Sequence, residues 1–216
     1  MAVLLLRFDA PLQSWGVTEK LKDHHTDLVP SKSGVIGMIA SAEGRKRDED
    51  ISDLVDLRFG VRIDEEGEII GDYHISIVGG SFGETKDLYG NGHLVDTINR
   101  KTRTKLGTRY YLAGAVFTCG IEGDRDRLEE IKDALIHPAN ILFLGRRCCP
   151  VTVNLIQGVV DESLYNVLSD GSGHRGFIDV SDDSSDGKFR MVKDIPVSFN
   201  PEQRKYALRK CKEVRF

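Results

Sequence analysis

No CxxC pair occurs in the 216 residues, and no histidine stands at zinc-finger spacing from the four cysteines, Cys119, Cys148, Cys149 and Cys211. That speaks against a structural zinc, and sparse cysteine fits a reducing, cytoplasmic setting. Long apolar runs are missing too. The opening Val3–Leu6 stretch is followed at once by Arg7 and Asp9, too short for a signal peptide or a membrane span. No charge sign dominates: Lys and Arg number 30 against 34 Asp and Glu, a net −4. This balance argues against an indiscriminate nucleic-acid binder but leaves room for local basic patches. No glycine-rich run precedes Lys32, so there is no Walker A loop, and no cofactor is expected. With 40% hydrophobic and 30% charged residues, the chain is an ordinary globular one, long enough for one sizeable domain or two small ones.

What is present centres on Pro30–Gly44 (PSKSGVIGMIASAEG). Ser31 or Ser33 can cap a helix, Val35, Met38, Ile39 and Ala42 share its buried face, and Gly44 suits the left-handed stop. Gly34, Gly37 and Ser41 make a second stripe of small residues. Two helical glycines cost about 1 kcal/mol each against alanine. The stripe therefore calls for a close neighbour, either a sheet or a nucleic-acid backbone. Lys32 and Ser33 at the helix start, beside free backbone N–H groups, have the makings of an anion site.

Around this helix the pattern alternates. Ala2–Phe8 reads as a central strand, and Asp9–Gly16 breaks it, with Trp15 either in the core or offering a stacking face. Val17–Val29 holds Lys20, Lys22, His24 and His25 in a polar loop, solvated or phosphate-facing. Arg45–Asp53 reads as a solvated run of alternating sign. Leu57–Ile63 and Ile69–Val78 flank Asp64–Glu68 and predict a hairpin. Gly79–Gly107 is long, glycine-rich and ends in the densest basic run, Asn99–Lys105; phosphate contact is the preferred reading, a solvated flap the alternative. Arg109–Gly120 predicts a strand, Asp124–Leu135 an amphipathic helix and Ile141–Leu144 a short buried strand before the turn at Gly145, Arg146 and Arg147. Glu162–Leu168 allows a helical turn or two, Asp179–Gly187 an acidic surface loop, and Phe189–Phe199 a strand. The tail from Asn200 has six basic against two acidic residues, a net +4. Without the insertion the order is close to β-α-β-β-α-β. The aromatics of a true RNA-recognition module are absent, which sends any RNA to loops and helix starts rather than onto the sheet.

Five blocks, LQSWG (12–16), PSKSGVIG (30–37), LRFGVR (57–62), RYYL (109–112) and FLGRR (143–147), occur in an order and spacing that resemble the CasD family, the Cas-five subunit of type I-E CRISPR Cascade complexes. Ser31 stands where threonine is usual, which keeps the hydroxyl, and Glu43 near a usual small apolar residue. The resemblance implies an α+β, ferredoxin-like domain of the repeat-associated RNA-binding superfamily at 1–150, with a thumb-like insertion at about 79–107 and a C-terminal extension at 151–216. It implies a non-enzymatic subunit that caps the 5′ handle of the crRNA. Its partners would be the adjacent backbone subunit and the large PAM-recognising subunit, with target DNA met only indirectly and no membrane. In that role Gln13, Ser14 and Trp15 would sit near handle bases and Lys32 and Ser33 at a phosphate. Arg100, Arg103 and Lys105 on the insertion, with Arg109, Arg146 and Arg147, are further RNA candidates, since arginine forks engage phosphate.

Two other classes stay open on sequence. A metal-independent endoribonuclease would draw its acid and base from His24, His25, His74, Tyr110 and Tyr111, although no motif fixes their geometry. A protein-only adaptor would touch no RNA at all.

Overall fold

The computed structural model describes residues 1–16, 23–78, 103–180, 189–200 and 204–216. Seven strands make the main sheet, in the spatial order β10 (Phe189–Ser198), β11 (Lys205–Arg215), β9 (Arg175–Asp179), β4 (Arg58–Glu65), β7 (Val116–Gly123), β1 (Ala2–Asp9) and β8 (Ile156–Val160). All neighbours are antiparallel. The first strand is central, as its sequence predicts, because both of its faces are covered. Ala2, Leu4, Leu6 and Phe8 enter the main core, while Val3 joins Leu164, Leu168 and Phe216 in a second cluster.

Two helices cover the main-core face. One, α1 (Lys32–Ala42), lies in the chain between β1 and β4; the other, α3 (Arg125–Ile136), joins β7 to β8. The chain thus runs β-α-β-β-α-β through β1, α1, β4, β7, α3 and β8, with those strands in the order β4–β7–β1–β8. Both helices form where the sequence predicts. Ser31 accepts from the Gly34 N–H and caps α1, and Gly44 follows its end at φ +77°. Asp124 caps α3, which buries Leu128, Ile131 and Leu135. Between α1 and β4 lies one further turn, α2 (Ser52–Val55). On the opposite face sits α4 (Leu164–Leu168). It fits because Gly60 and Gly120 stand opposite each other on β4 and β7. A Cβ at Gly120 would lie 2.6 Å from Leu164 Cδ1, and one at Gly60 2.8 Å from Leu168 Cδ1. The glycine pair is the notch that seats the two leucines.

The hairpin expected between 57–63 and 69–78 does not form. β4 pairs with β7, whereas the following strand, β5 (Glu68–Val78), pairs with β6 (Arg103–Ala113). The register carries across the break, with Glu65 opposite Val116 and Glu68 opposite Ala113. Residues 58–78 and 103–123 are therefore one long antiparallel ribbon that bends halfway. Gly67 permits the bend, since its Cβ would sit 2.7 Å from Ala115 Cβ; opposite it Gly114 adopts φ +68°. The strand predicted at Arg109–Gly120 is divided at the same level. The outer half of the ribbon forms a second sheet with two short strands along the other edge of β6, β2 (Leu12–Gln13) and β3 (Asp23–His24).

Three further expectations change. Of the insertion at 79–107, residues 79–102 lie outside the described residues, and 103–107 belong to β6, paired with 74–78. Ile141–Leu144 is a loop, with Ile141 exposed and a single bridge from Phe143 to Pro150. The basic tail forms β11, which alternates exposed and buried positions and pairs with both β9 and β10. No helix among the described residues is long and apolar enough to cross a membrane.

Candidate nucleic-acid interface

The small-residue face of α1 does two jobs. Near its start it admits the core: a Cβ at Gly34 would meet the Trp15 indole at 2.9 Å. Beyond that it floors an open groove of about 760 Å³, with Ser33, Gly34, Gly37 and Ser41 along the bottom. The loop after α3 makes one wall, and Phe199 and Tyr206 stand at the end nearest the C-terminal strands. The charged residues lining it are Arg45, Lys46, Arg47, Arg147 and Arg204, with no carboxylate among the lining residues. Arg45 is held to Asp53 and Glu43. Lys46, Arg47 and Arg147 are exposed. Cations above a floor without side-chain bulk let a polyanion come close to backbone, and they hold its phosphates without reading a sequence. The Arg45–Arg47 run was legible in sequence only as solvated charge. Its place directly after the small-residue helix was the available signal.

The helix start itself is filled from within the chain. Asp194 of β10 accepts from the Lys32 backbone N–H at 2.9 Å and pairs with Arg209 at 2.6 Å. Lys32 Nζ lies 3.2 Å from Asp179, which also takes Arg209 at 2.5 Å and the Phe59 N–H at 3.0 Å. Ser33 Oγ is 3.3 Å from Ser31 Oγ and buried. The position that sequence assigned to a phosphate is therefore occupied by a protein carboxylate. Residues 32, 179, 194 and 209 form a latch between α1 and the C-terminal strands that nothing local in sequence announces.

Gln13 and Trp15 are interior. Gln13 is fully buried, donating to the carbonyls of Ala115 at 2.8 Å and Phe8 at 3.4 Å and accepting from Trp15 Nε1 at 2.9 Å. Trp15 is 1% exposed and packs on Phe8, so of its two open roles the structure shows the core one. Ser14 is buried beside Gly145, its N–H bonded to Leu144 O. A Cβ at Gly145 would lie 1.5 Å from Ser14 O, so this turn, at φ +84°, requires glycine. The next residue, Arg146, points inward: it donates to Tyr110 O at 3.1 Å and His24 O at 3.0 Å, and its guanidinium lies over the Tyr111 ring. The turn thus sends Arg146 to the second sheet and Arg147 to the groove.

The candidate nuclease groups lie on or beside three strands of the second sheet. His24 lies on β3 along one edge of β6, and His74 on β5 along the other. Tyr110 stacks on His25, while Tyr111 is buried with its hydroxyl 3.4 Å from Cys148 Sγ. That hydrogen bond, and then burial, raise the Tyr111 hydroxyl above its ordinary range. Burial, followed by Cys148, pushes the Cys149 thiol up to about 12, which leaves it inert at neutral pH. Among the described residues no group of three or more His, Cys, Asp or Glu could hold a metal ion. Arg103, Lys105 and Arg109 fall on β6, with Arg109 exposed; Arg100 lies outside the described residues.

The chain is similar to known proteins over most of its length. It is 31% identical over 169 residues to the CRISPR system Cascade subunit CasD of Escherichia coli (strain K12), covering 74% of this chain and 72% of that protein. A chain of a solved CRISPR RNA-guided surveillance complex superposes with a TM-score of 0.75 at 27% identity, covering 99% of this chain and 89% of the other. A crystal structure of a Cas protein superposes with a TM-score of 0.70 at 29% identity, covering 99% and 94%. The model of the CRISPR-associated protein (Cas_Cas5) family matches residues 3–212, and the chain belongs to that family.

Proposed function

We propose that the chain is a non-catalytic subunit of a Cascade surveillance complex that holds the 5′ handle of the crRNA along the α1 groove. The observation that carries this is the set of basic residues, Arg45, Lys46, Arg47, Arg147 and Arg204, gathered from three separate segments around a floor of Gly34, Gly37 and Ser41. The β-α-β-β-α-β order with strands β4–β7–β1–β8 supports a ferredoxin-like core. Residues 1–150 supply most of that core, and the extension at 151–216 completes it with β8 and latches it through Asp194. The free cysteines suit a cytoplasmic setting. Phosphate-holding of this kind needs no group that titrates near neutrality.

The outer half of the ribbon supplies the protein contact. Ile69, Tyr73, Ile75 and Leu106 are exposed, and their alternation puts them on one face of β5 and β6. A two-stranded ribbon is marginal alone, and an apolar face on it calls for cover. The adjacent backbone subunit is the occupant we assign to it, with the large PAM-recognising subunit elsewhere on the chain.

The test is RNA affinity against salt. Lys46→Ala, Arg47→Ala and Arg147→Ala together are expected to weaken handle RNA binding and to flatten the plot of log affinity against log salt. The expected change in slope is about 2, from roughly 0.7 per lost single-strand phosphate contact. An unchanged affinity and slope in the folded triple variant would overturn the groove reading.

A further inference from the structure

We propose that the stacked rings of His25 and Tyr110 form a platform for one unpaired nucleobase of the RNA held in the neighbouring groove. The proposal rests on the RNA-binding reading above and adds a base-stacking subsite to it. The two rings are parallel to within 5° with centroids 5.0 Å apart. Tyr110 is half-buried and covers one face of the imidazole; His25 itself is exposed, so the opposite face is the open one. A flat, solvent-facing ring already backed by a second ring is the geometry on which a base stacks, whatever its identity.

The platform is also braced. Arg146 donates to the carbonyl of Tyr110 at 3.1 Å, to that of His24 at 3.0 Å and to that of His25 at 3.4 Å, tying the backbone beneath both rings to one guanidinium. From the other side Gly16 sits so close that a Cβ there would lie 2.3 Å from His25 O. A surface histidine with no task does not need its backbone fixed from two directions. The bracing residue, moreover, belongs to the turn that bounds the groove. Arg147, the next in sequence, lines the groove. The groove supplies phosphate contacts and the platform a π face, the two components of single-strand binding.

Single-stranded handle RNA carrying 2-aminopurine at one position at a time, bound to the full chain, tests this. One position is expected to show quenched fluorescence. His25→Ala should restore that fluorescence and weaken binding roughly tenfold, within the range one stacked base contributes. His25→Phe should keep both the quenching and the affinity, which a merely structural histidine would not predict. Two results overturn the platform while sparing the groove: tight binding with no quenched position, which would leave the ring pair to a protein, or equal loss in His25→Ala and His25→Phe. If the wild-type chain binds none of these RNAs, the groove reading and the platform fall together. The groove triple variant separates the two, because it should lower affinity at every labelled position and change the salt slope, whereas His25→Ala should leave the slope alone.

Discussion

The two halves of the bent ribbon are built from similar residues, yet beyond Tyr111 and Leu112, which reach the core at the bend, the outer half is far less covered. In the inner half Phe59, Val61, Ile63, Phe117, Cys119 and Ile121 are buried between helices and sheet. Along the outer half Ile69, Tyr73, Ile75 and Leu106 are from 49% to 62% exposed. β-propensity alone cannot tell these halves apart, because both alternate and both are rich in branched and aromatic side chains. What separates them is cover. α1, α3 and the C-terminal strands lie over or beside the inner half, whereas among the described residues the outer half is joined only by the two-residue strands β2 and β3. The inner half is therefore the fold's own core, whereas Ile69, Tyr73, Ile75 and Leu106 of the outer half stay exposed.

The comparison is broken most forcefully from inside. Phe117 is fully buried in the main core. Phe117→Ala is expected to cost about 3–5 kcal/mol in denaturant unfolding. A smaller blow falls on the latch that ties the inner half to the C-terminal strands. Asp179 takes the Phe59 N–H of β4 and, with Asp194, holds Arg209, which is 8% exposed. Asp194→Ala leaves Arg209 one carboxylate and strips the cap from Lys32 N–H. The expected loss is about 3 kcal/mol, the lower end for breaking a buried pair. Replacing both Asp194 and Arg209 by apolar residues should recover much of it, because the penalty comes from a charge left without its partner. A loss from the double replacement as large as from Asp194→Ala would show that shape, not charge, makes the latch.

The parts of the molecule legible in sequence were those whose signal is local. Ser31, the Val35–Met38–Ile39 face and Gly44 define α1 without help, as Asp124 and Leu128–Ile131–Leu135 define α3. The bend at Gly67 was not legible as a bend. A glycine among acidic residues between two alternating runs is also the mark of a hairpin, and only the pairing of both runs with 103–123 decides between them. The anion site at Lys32 failed for a related reason. Free N–H groups and a lysine attract a carboxylate as readily as a phosphate, and the carboxylate comes from Asp194, 162 residues away. Arg146 and Arg147 are indistinguishable in sequence. One is turned inward by the geometry Gly145 imposes and the other outward to the groove.

The smallest expected effect sharpens the comparison most. Ile75 and Leu106 face each other across β5 and β6, both about half exposed. Ile75→Thr with Leu106→Thr keeps strand-compatible side chains and removes apolar surface from the outer half alone. A cross-strand pair of this kind contributes about 0.2–1 kcal/mol, so the free chain should unfold within 1 kcal/mol of the original. The same pair should matter far more once covered, since the area then withdrawn from water at the interface is the area the substitutions have made polar. Co-purification of the backbone subunit is expected to fall at least tenfold while RNA affinity of the free chain stays put. Two outcomes would reverse the argument. A loss of stability approaching that of Phe117→Ala would mean that the outer face is already packed within the chain. Intact assembly would mean that its exposure serves no partner, and the two halves of the ribbon would then differ in burial without differing in purpose.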